Sequence, residues 1–269
     1  MKNIVIIILL SFIYSLVNII DEGISYQTFK ANQQSIIGSS EITIIKINPK
    51  LYNVKLFSSD VYEHNNLTVN EWAETHGLTI AINSGMFQSD HSSNVGYMKQ
   101  GEYINNPYIN HYQSVAAFNP KNSNMPPFKI FDVEKINGVL NKDTVRYVIN
   151  NYETVVQNLR LIKRPRENRW PKQFKIWSEI ALGEDSNGNI LIIFSRSPYS
   201  MHDLNNMLLD LPIDIQCAQH LEGGPEASLY LKTDNIELEY SGSYESNFFE
   251  NNSNSTFWEI PNIIGISKK

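Results

Sequence analysis

Cysteine is almost absent from this chain. Cys217 stands alone among 269 residues, which excludes an intramolecular disulfide framework and a zinc centre built on clustered thiolates. Within the strand-like run Ile215-Gln216-Cys217-Ala218 it reads as a buried structural thiol rather than a nucleophile. Basic surface is scarce as well: 22 Lys and Arg face 28 Asp and Glu, a net charge of −6. The one basic cluster, Lys163-Arg164-Pro165-Arg166 with Arg169, is short and interrupted. No nucleic-acid partner is expected, because phosphate-backbone affinity comes from extended basic surface. A few buried arginines can still hold a phosphate inside an acidic protein. Repeats and low-complexity linkers are missing too.

Long apolar runs are absent except at the start. Lys2 precedes Ile4-Val5-Ile6-Ile7-Ile8-Leu9-Leu10, and the apolar character continues to Ile20, diluted by Ser11, Ser15 and Asn18. A positive residue ahead of such a run reads as a secretory signal, and the run falls short of a comfortable membrane span. Residues 1–20 are therefore expected to be a signal peptide or N-terminal anchor. The protein is expected to be exported, periplasmic or extracellular, and to touch membrane only through that segment.

From residue 25 to 269 the pattern predicts one domain. Glu41 to Ile47 and Leu51 to Leu56 read as strands around an Asn48-Pro49 turn. Thr68-Val69-Asn70-Glu71 has capping-box spacing and opens a short helix that Gly77 stops. Leu78 to Ile82 is then a strand delivering Asn83. Ile176 to Leu182 and Ile190 to Phe194 form a hairpin across Gly183 to Gly188. Ser200 begins a helix, Ile215 to Leu221 is a buried strand, and Ala227 to Leu231 and Ile236 to Tyr240 are further strands. The stretch from Lys121 to Arg169 has no clear pattern and is expected to include an excursion from the core. These elements predict an α+β fold, a mixed β-sheet core with short flanking helices.

Two segments share a design. Ala81-Ile82-Asn83-Ser84-Gly85 and His220-Leu221-Glu222-Gly223-Gly224-Pro225 each place a polar residue and glycine directly after a strand. Strand ends fix side chains, and glycine lets backbone amides approach a ligand. Alone, either is a tight turn; together they suggest one pocket. Arg160 interrupts the apolar run Val155 to Ile162 and so needs an anion, either a substrate phosphate or a protein carboxylate such as Glu222 or Glu179. The same two readings apply to Arg196 beside Ser195 and Ser197. His202 lies in the first turn of the Ser200 helix, as an acid or phosphate donor or as a surface residue. Asp203 is explained by capping alone. Glu184 and Asp185 are weak candidate ligands for a divalent cation.

These residues also carry a resemblance. Asn83-Ser84-Gly85-Met86-Phe87 resembles the Asn-Gly-Gly-Phe type motif of the phosphodiester glycosidase family, and Leu221-Glu222-Gly223-Gly224-Pro225 resembles its Leu-Asp-Gly-Gly-Gly motif, with Glu222 where Asp is usual. Ala181 to Asn189 followed by Ser195-Arg196-Ser197 is similar to the family's central hairpin and following Arg. Trp177-Ser178-Glu179 stands where an Arg is common, and Pro261 to Gly265 resembles a closing segment of bacterial members. The resemblance implies hydrolysis of a sugar-1-phosphodiester of the N-acetylglucosamine type, in a cell-surface or extracellular glycan. Taken with the residues read above, the expected catalytic set is Glu222, Arg160, Arg196 and His202, with Asn83, Gly85, Ser178, Gly223 and Gly224 binding the sugar.

The chemistry is compatible with that set. A phosphodiester is a weakly basic leaving group, so one placed carboxylate and cations on the phosphate suffice. No cofactor is required, and a structural divalent cation is allowed. Two rivals remain at this level: a non-catalytic glycan-binding protein, and a metal-dependent phosphodiesterase gathering Glu184, Asp185, Glu222 and His202 around an ion.

Overall fold

The computed structural model describes residues 17–62 and 65–269, so most of the expected signal segment lies outside the described residues. Its end, Asn18–Asp21, is a strand paired antiparallel with Ile24–Lys30. The expected α+β class is corrected toward mostly β: sheets dominate one domain, and the longest helices among the described residues, Lys142–Asn151 and Met201–Asp210, have 10 residues each. Helices that short are marginal alone and persist because one face packs on a sheet.

Three antiparallel sheets make the body. The largest runs in the order Asn18–Asp21, Ile24–Lys30, Glu41–Ile47, Ile190–Tyr199, Trp177–Asp185, Ile215–Gly223, Arg160–Lys163, Glu167–Asn168. A second orders Glu237–Ser241, Ser228–Lys232, Ile80–Asn83, Asn262–Lys268 and Tyr52–Ser58. The third orders Tyr103–Asn106, Met98–Gln100, Tyr152–Asn158, Ser114–Pro120 and Phe128–Asp132. The two strands flanking the Asn48-Pro49 turn thus join different sheets, and the turn is a crossover.

The expected excursion between Lys121 and Arg169 is also corrected. Tyr152–Asn158 is the central strand of the third sheet, bonded to Met98–Gln100 on one side and Ser114–Pro120 on the other. Its pattern hides because Thr154, Gln157 and Asn158 are buried with their hydrogen bonds satisfied, so no polar/apolar alternation marks it.

The main core fills the space where the sheets face one another. Ile45, Leu182 and Ile192 come from the first, Ile82 and Leu229 from the second, Ala116 and Phe118 from the third. Each large side chain so buried contributes about 1.5–3 kcal/mol. Outer faces are covered by helices. Met201, Leu204 and Leu208 pack on Leu191 and Ile193; Trp72 and Ala73 of Val69–His76 pack against Tyr230 and Ile263. As its spacing predicts, this second helix begins with the Thr68 amide donating to Glu71 Oε2 at 2.9 Å and stops at Gly77, whose φ is 61°. The consequence for function is geometric: Ile80–Asn83, Tyr152–Asn158 and Ile215–Gly223, one strand from each sheet, end at the same place.

Candidate active site

At that meeting point the polar residues ending each strand tie the sheets together. Asn83 Nδ2 donates to the Glu226 carbonyl at 3.0 Å, and its Oδ1 accepts from the Ser228 amide at 2.7 Å. Asn158 Nδ2 donates to the Leu221 carbonyl at 3.3 Å, and its Oδ1 accepts from the Leu159 amide at 2.8 Å. Asn83 thus builds the turn that carries Glu226. Gly85 is small for packing: a Cβ there would lie 2.5 Å from Asn94 Oδ1 and 3.0 Å from Asn158 Nδ2.

Glu222 follows in the adjacent strand, with Oε1 accepting from the Gly223 amide at 3.0 Å. Burial, then the neighbouring charge of Glu226, pushes its carboxyl well above the usual range. Across the strand pair, Glu179 Oε1 meets His220 Nδ1 at 2.7 Å, and Trp177 Nε1 donates to Glu179 Oε2 at 2.7 Å. Burial raises Glu179 even though His220 and Trp177 favour its charged form. Glu226 is raised by burial and by Glu245, and Glu245 by burial. Four carboxyls and one imidazole thus interact in one region.

The paired glycines have distinct causes. A Cβ on Gly223 would sit 2.6 Å from Trp177 Cδ1. Gly224 has φ 65°, and a Cβ there would also sit 2.6 Å from Glu245 Oε2. Only glycine lets Trp177 and Glu245 close over the turn after Glu222.

Beside this centre is an open cavity of about 260 Å³ whose walls include His111, Tyr112, Lys135, Arg160, Arg169 and Trp170. Tyr112 joins the two, its hydroxyl pushed up by burial and by the charge of Glu222. Leu159, another wall residue, accepts the His220 amide at 3.0 Å. Trp170 packs edge-on against Trp177, which packs edge-on against His220, with centroids 6.4 and 6.3 Å apart. Arg160 lines this cavity but pairs with neither Glu222 nor Glu179. Its Nη1 lies 3.4 Å from Asp132 and 3.3 Å from Glu134, the carboxylates that balance its charge.

Other expected site residues lie elsewhere. Every nitrogen of the Arg196 guanidinium is engaged: with Asn252 Oδ1 at 2.9 Å, with the Ser241 carbonyl, and with the carbonyls of Asn252 and Asn254 at 3.1 and 2.6 Å. It is not a phosphate ligand, because backbone carbonyls already fill its donor fork. Ser178 is fully buried; its Oγ donates to the Arg196 carbonyl at 2.6 Å and accepts the Ser243 and Tyr244 amides at 3.0 and 3.1 Å, leaving no capacity for sugar. His202 Nδ1 hydrogen-bonds the Trp170 carbonyl at 2.7 Å and so supports the cavity wall. Ser200 caps the helix that carries His202, its Oγ accepting the Asp203 amide at 3.1 Å and donating to Asp203 Oδ2 at 2.7 Å.

Glu184 and Asp185 do not form a cation site with each other, since neighbours on a strand point to opposite faces. Glu184 binds Arg164 at 2.5 Å, while Asp185 binds Lys46 at 2.6 Å and closes the Asn189 turn. Among the described residues no group of three His, Cys, Asp or Glu is arranged to hold a metal. Cys217 is buried, and its thiol is pushed up by burial and by Glu184, as an inert structural thiol should be.

Sequence reasoning missed the Glu179–His220 pair and Glu245. A usable signal existed for Glu179, a carboxylate next to the apolar Ile180-Ala181-Leu182, which burial makes costly without a partner. None existed for Glu245, in a polar loop rich in Ser and Asn.

A family model described as phosphodiester glycosidase matches residues 76–267. Among solved structures, the zebrafish N-acetylglucosamine-1-phosphodiester alpha-N-acetylglucosaminidase catalytic domain, auto-inhibited by its pro-peptide, superposes with a TM-score of 0.61 at 14% identity, covering 91% of this chain and 88% of that one. A hypothetical protein from Synechocystis gives a TM-score of 0.61 at 13% identity, covering 92% of this chain and 62% of its own. At these identities the likeness is one of fold. No curated protein sequence matches.

Proposed function

We propose, from the premise that this chain belongs to the phosphodiester glycosidase family, that it is an exported hydrolase cleaving the glycosidic bond of a sugar-1-phosphodiester. The sugar is of the N-acetylglucosamine type, carried on a cell-surface or extracellular glycan. One observation carries the reading: the carboxyl cluster around Glu222 adjoins a cavity walled by Arg160, Arg169 and Lys135, joined through Tyr112. The two halves of such a substrate differ in charge. The neutral sugar suits the carboxyl side, and the anionic phosphate suits the donors of Arg160, Arg169 and Lys135, of which Arg160 is shared with Asp132 and Glu134 and Arg169 with Glu167.

In this arrangement the bond between the anomeric carbon and the phosphate oxygen breaks, and its electron pair leaves with the phosphate. Charge building on the sugar is positive, so Glu222 beside it is stabilising, as nucleophile or as the base that takes a proton from the attacking water. Burial raises the carboxyls of this cluster, which favours their protonated forms and lets a neighbour such as Glu226 hold a proton beside Glu222. His220, oriented by Glu179 through Nδ1, fixes the wall on which Glu222 stands.

The test is turnover of the methyl diester of N-acetylglucosamine 1-phosphate with product analysis. A glycosidase releases free sugar and methyl phosphate; a phosphodiesterase releases sugar phosphate and methanol. Glu222→Gln is expected to fold normally and lose activity. Full activity in that variant, or sugar phosphate as the product, would sink the assignment.

A further inference from the structure

The segment from Ser241 to Asn254 has little regular structure, yet many hydrogen bonds pin it to the rest of the domain. Arg196 binds it at Ser241, Asn252 and Asn254, and Ser178 Oγ binds it at Ser243 and Tyr244. The Ser178 amide donates to the Tyr244 carbonyl at 2.8 Å, and the Ser246 amide to the Ile176 carbonyl at 3.0 Å. Gly242 presses so closely that a Cβ on it would lie 2.1 Å from the Gly224 carbonyl. Asn254 Nδ2 donates to the carbonyls of Gly242 and Pro225 at 2.7 and 3.3 Å. These anchors share one geometric result: they hold Glu245 over the Gly223-Gly224 turn, with Oε2 where a Gly224 side chain would be.

Glu245 is also half-buried, whereas Glu179 and Glu222 lie beneath the surface. It therefore stands on the open side of the carboxyl cluster. A carboxylate there repels phosphate and accepts from hydroxyls, the donors that a neutral sugar presents. We infer that Glu245 is a substrate-contacting carboxylate that binds sugar hydroxyls at the Gly223-Gly224 turn, and that Arg196 is the positioning residue that holds it there through the 241–254 strap. The inference rests on the glycosidase reading for the identity of the sugar. It gives Arg196 a task that its engaged guanidinium can perform, in place of phosphate binding.

Two measurements test it. The first is binding of N-acetylglucosamine to the full chain by calorimetry or NMR titration. Glu245→Gln and Arg196→Lys are each expected to weaken it about tenfold, the loss of one charge-assisted hydrogen bond. The double variant is expected to lose no more than Glu245→Gln alone, because both act on one contact. Additive losses, unchanged affinity in Glu245→Gln, or no binding by the wild type would overturn the proposal. The second is amide hydrogen exchange, in which residues 241–254 open faster in Arg196→Lys but not in Glu245→Gln; equal protection in both would overturn the positioning role. Glu245→Gln alters one half-exposed side chain and keeps the test available if Arg196→Lys folds poorly. Failure of the wild type to release sugar from the diester would fall on the glycosidase reading, leaving these two measurements to decide the strap.

Discussion

Removing the Glu179 carboxylate should destabilise the whole domain, and the structure sets the size of the effect. Glu179 and His220 are 0% and 3% exposed, so neither can turn to water. Glu179→Ala leaves the Trp177 Nε1–H and the His220 ring nitrogen facing a void. Each buried polar group left without its partner costs about 1–3 kcal/mol. Two are orphaned, so the expected loss is about 2–6 kcal/mol. In a domain of this size each kcal/mol moves Tm by about 2–4 °C, giving a fall of about 4–24 °C. Thermal unfolding followed by circular dichroism, with urea unfolding to check that the slope is unchanged, reads this directly. Glu179→Gln keeps the volume and one acceptor, so its loss should be smaller. A double-mutant cycle with His220→Ala isolates the pair, and its coupling should exceed about 1.5 kcal/mol. A Glu179→Ala loss under about 1 kcal/mol, or additivity within about 0.5 kcal/mol, would refute the reasoning.

Three further outcomes follow from the same geometry. The Glu222 carboxyl is raised above its ordinary 4.5, so the folded state favours its protonated form; that stabilisation is complete in acid and lost as pH rises through the folded value. The stability of Glu222→Gln minus that of the wild type should thus be near zero in acid and grow as pH rises past about 4.5, and a flat or falling difference in urea unfolding across pH would contradict it. Gly224→Ala combines a φ of 65° with a clash at Glu245 Oε2, so it should cost about 1–3 kcal/mol, and it should reduce turnover by more than that stability loss explains. Arg160→Ala should raise KM for the diester and weaken inhibition by inorganic phosphate about tenfold, while Arg196→Lys leaves phosphate inhibition as it was; the reverse pattern would return Arg196 to the phosphate.

The strands that end at the site were legible because their signals are local. Ile80–Asn83 and Ile215–Gly223 are apolar runs stopped by a polar residue and glycine, and the helix between Thr68 and Gly77 announces both of its ends. The family motif around Asn83 and around Glu222 is likewise read from contiguous residues. The central strand Tyr152–Asn158 was not legible, since its buried polar residues satisfy partners that lie 45 to 63 positions away.

The remaining differences concern which residues meet. Sequence alone called for anionic partners for Arg160 and Arg196 and set Glu222 at a strand end, because burial, charge and glycine placement are properties of a segment. It could not choose the partners. A bulge between Ile180 and Ala181 sets Ile180 opposite Glu222 but Ala181 opposite His220, and the side chain of His220 meets Glu179. Such a register depends on how three sheets pack against one another, a nonlocal quantity that no segment carries. For the same reason only the tertiary structure gave Arg160 to Asp132 and Glu134, gave Arg196 to the 241–254 strap, and brought Glu245, unmarked in its polar loop, over the glycines that follow Glu222.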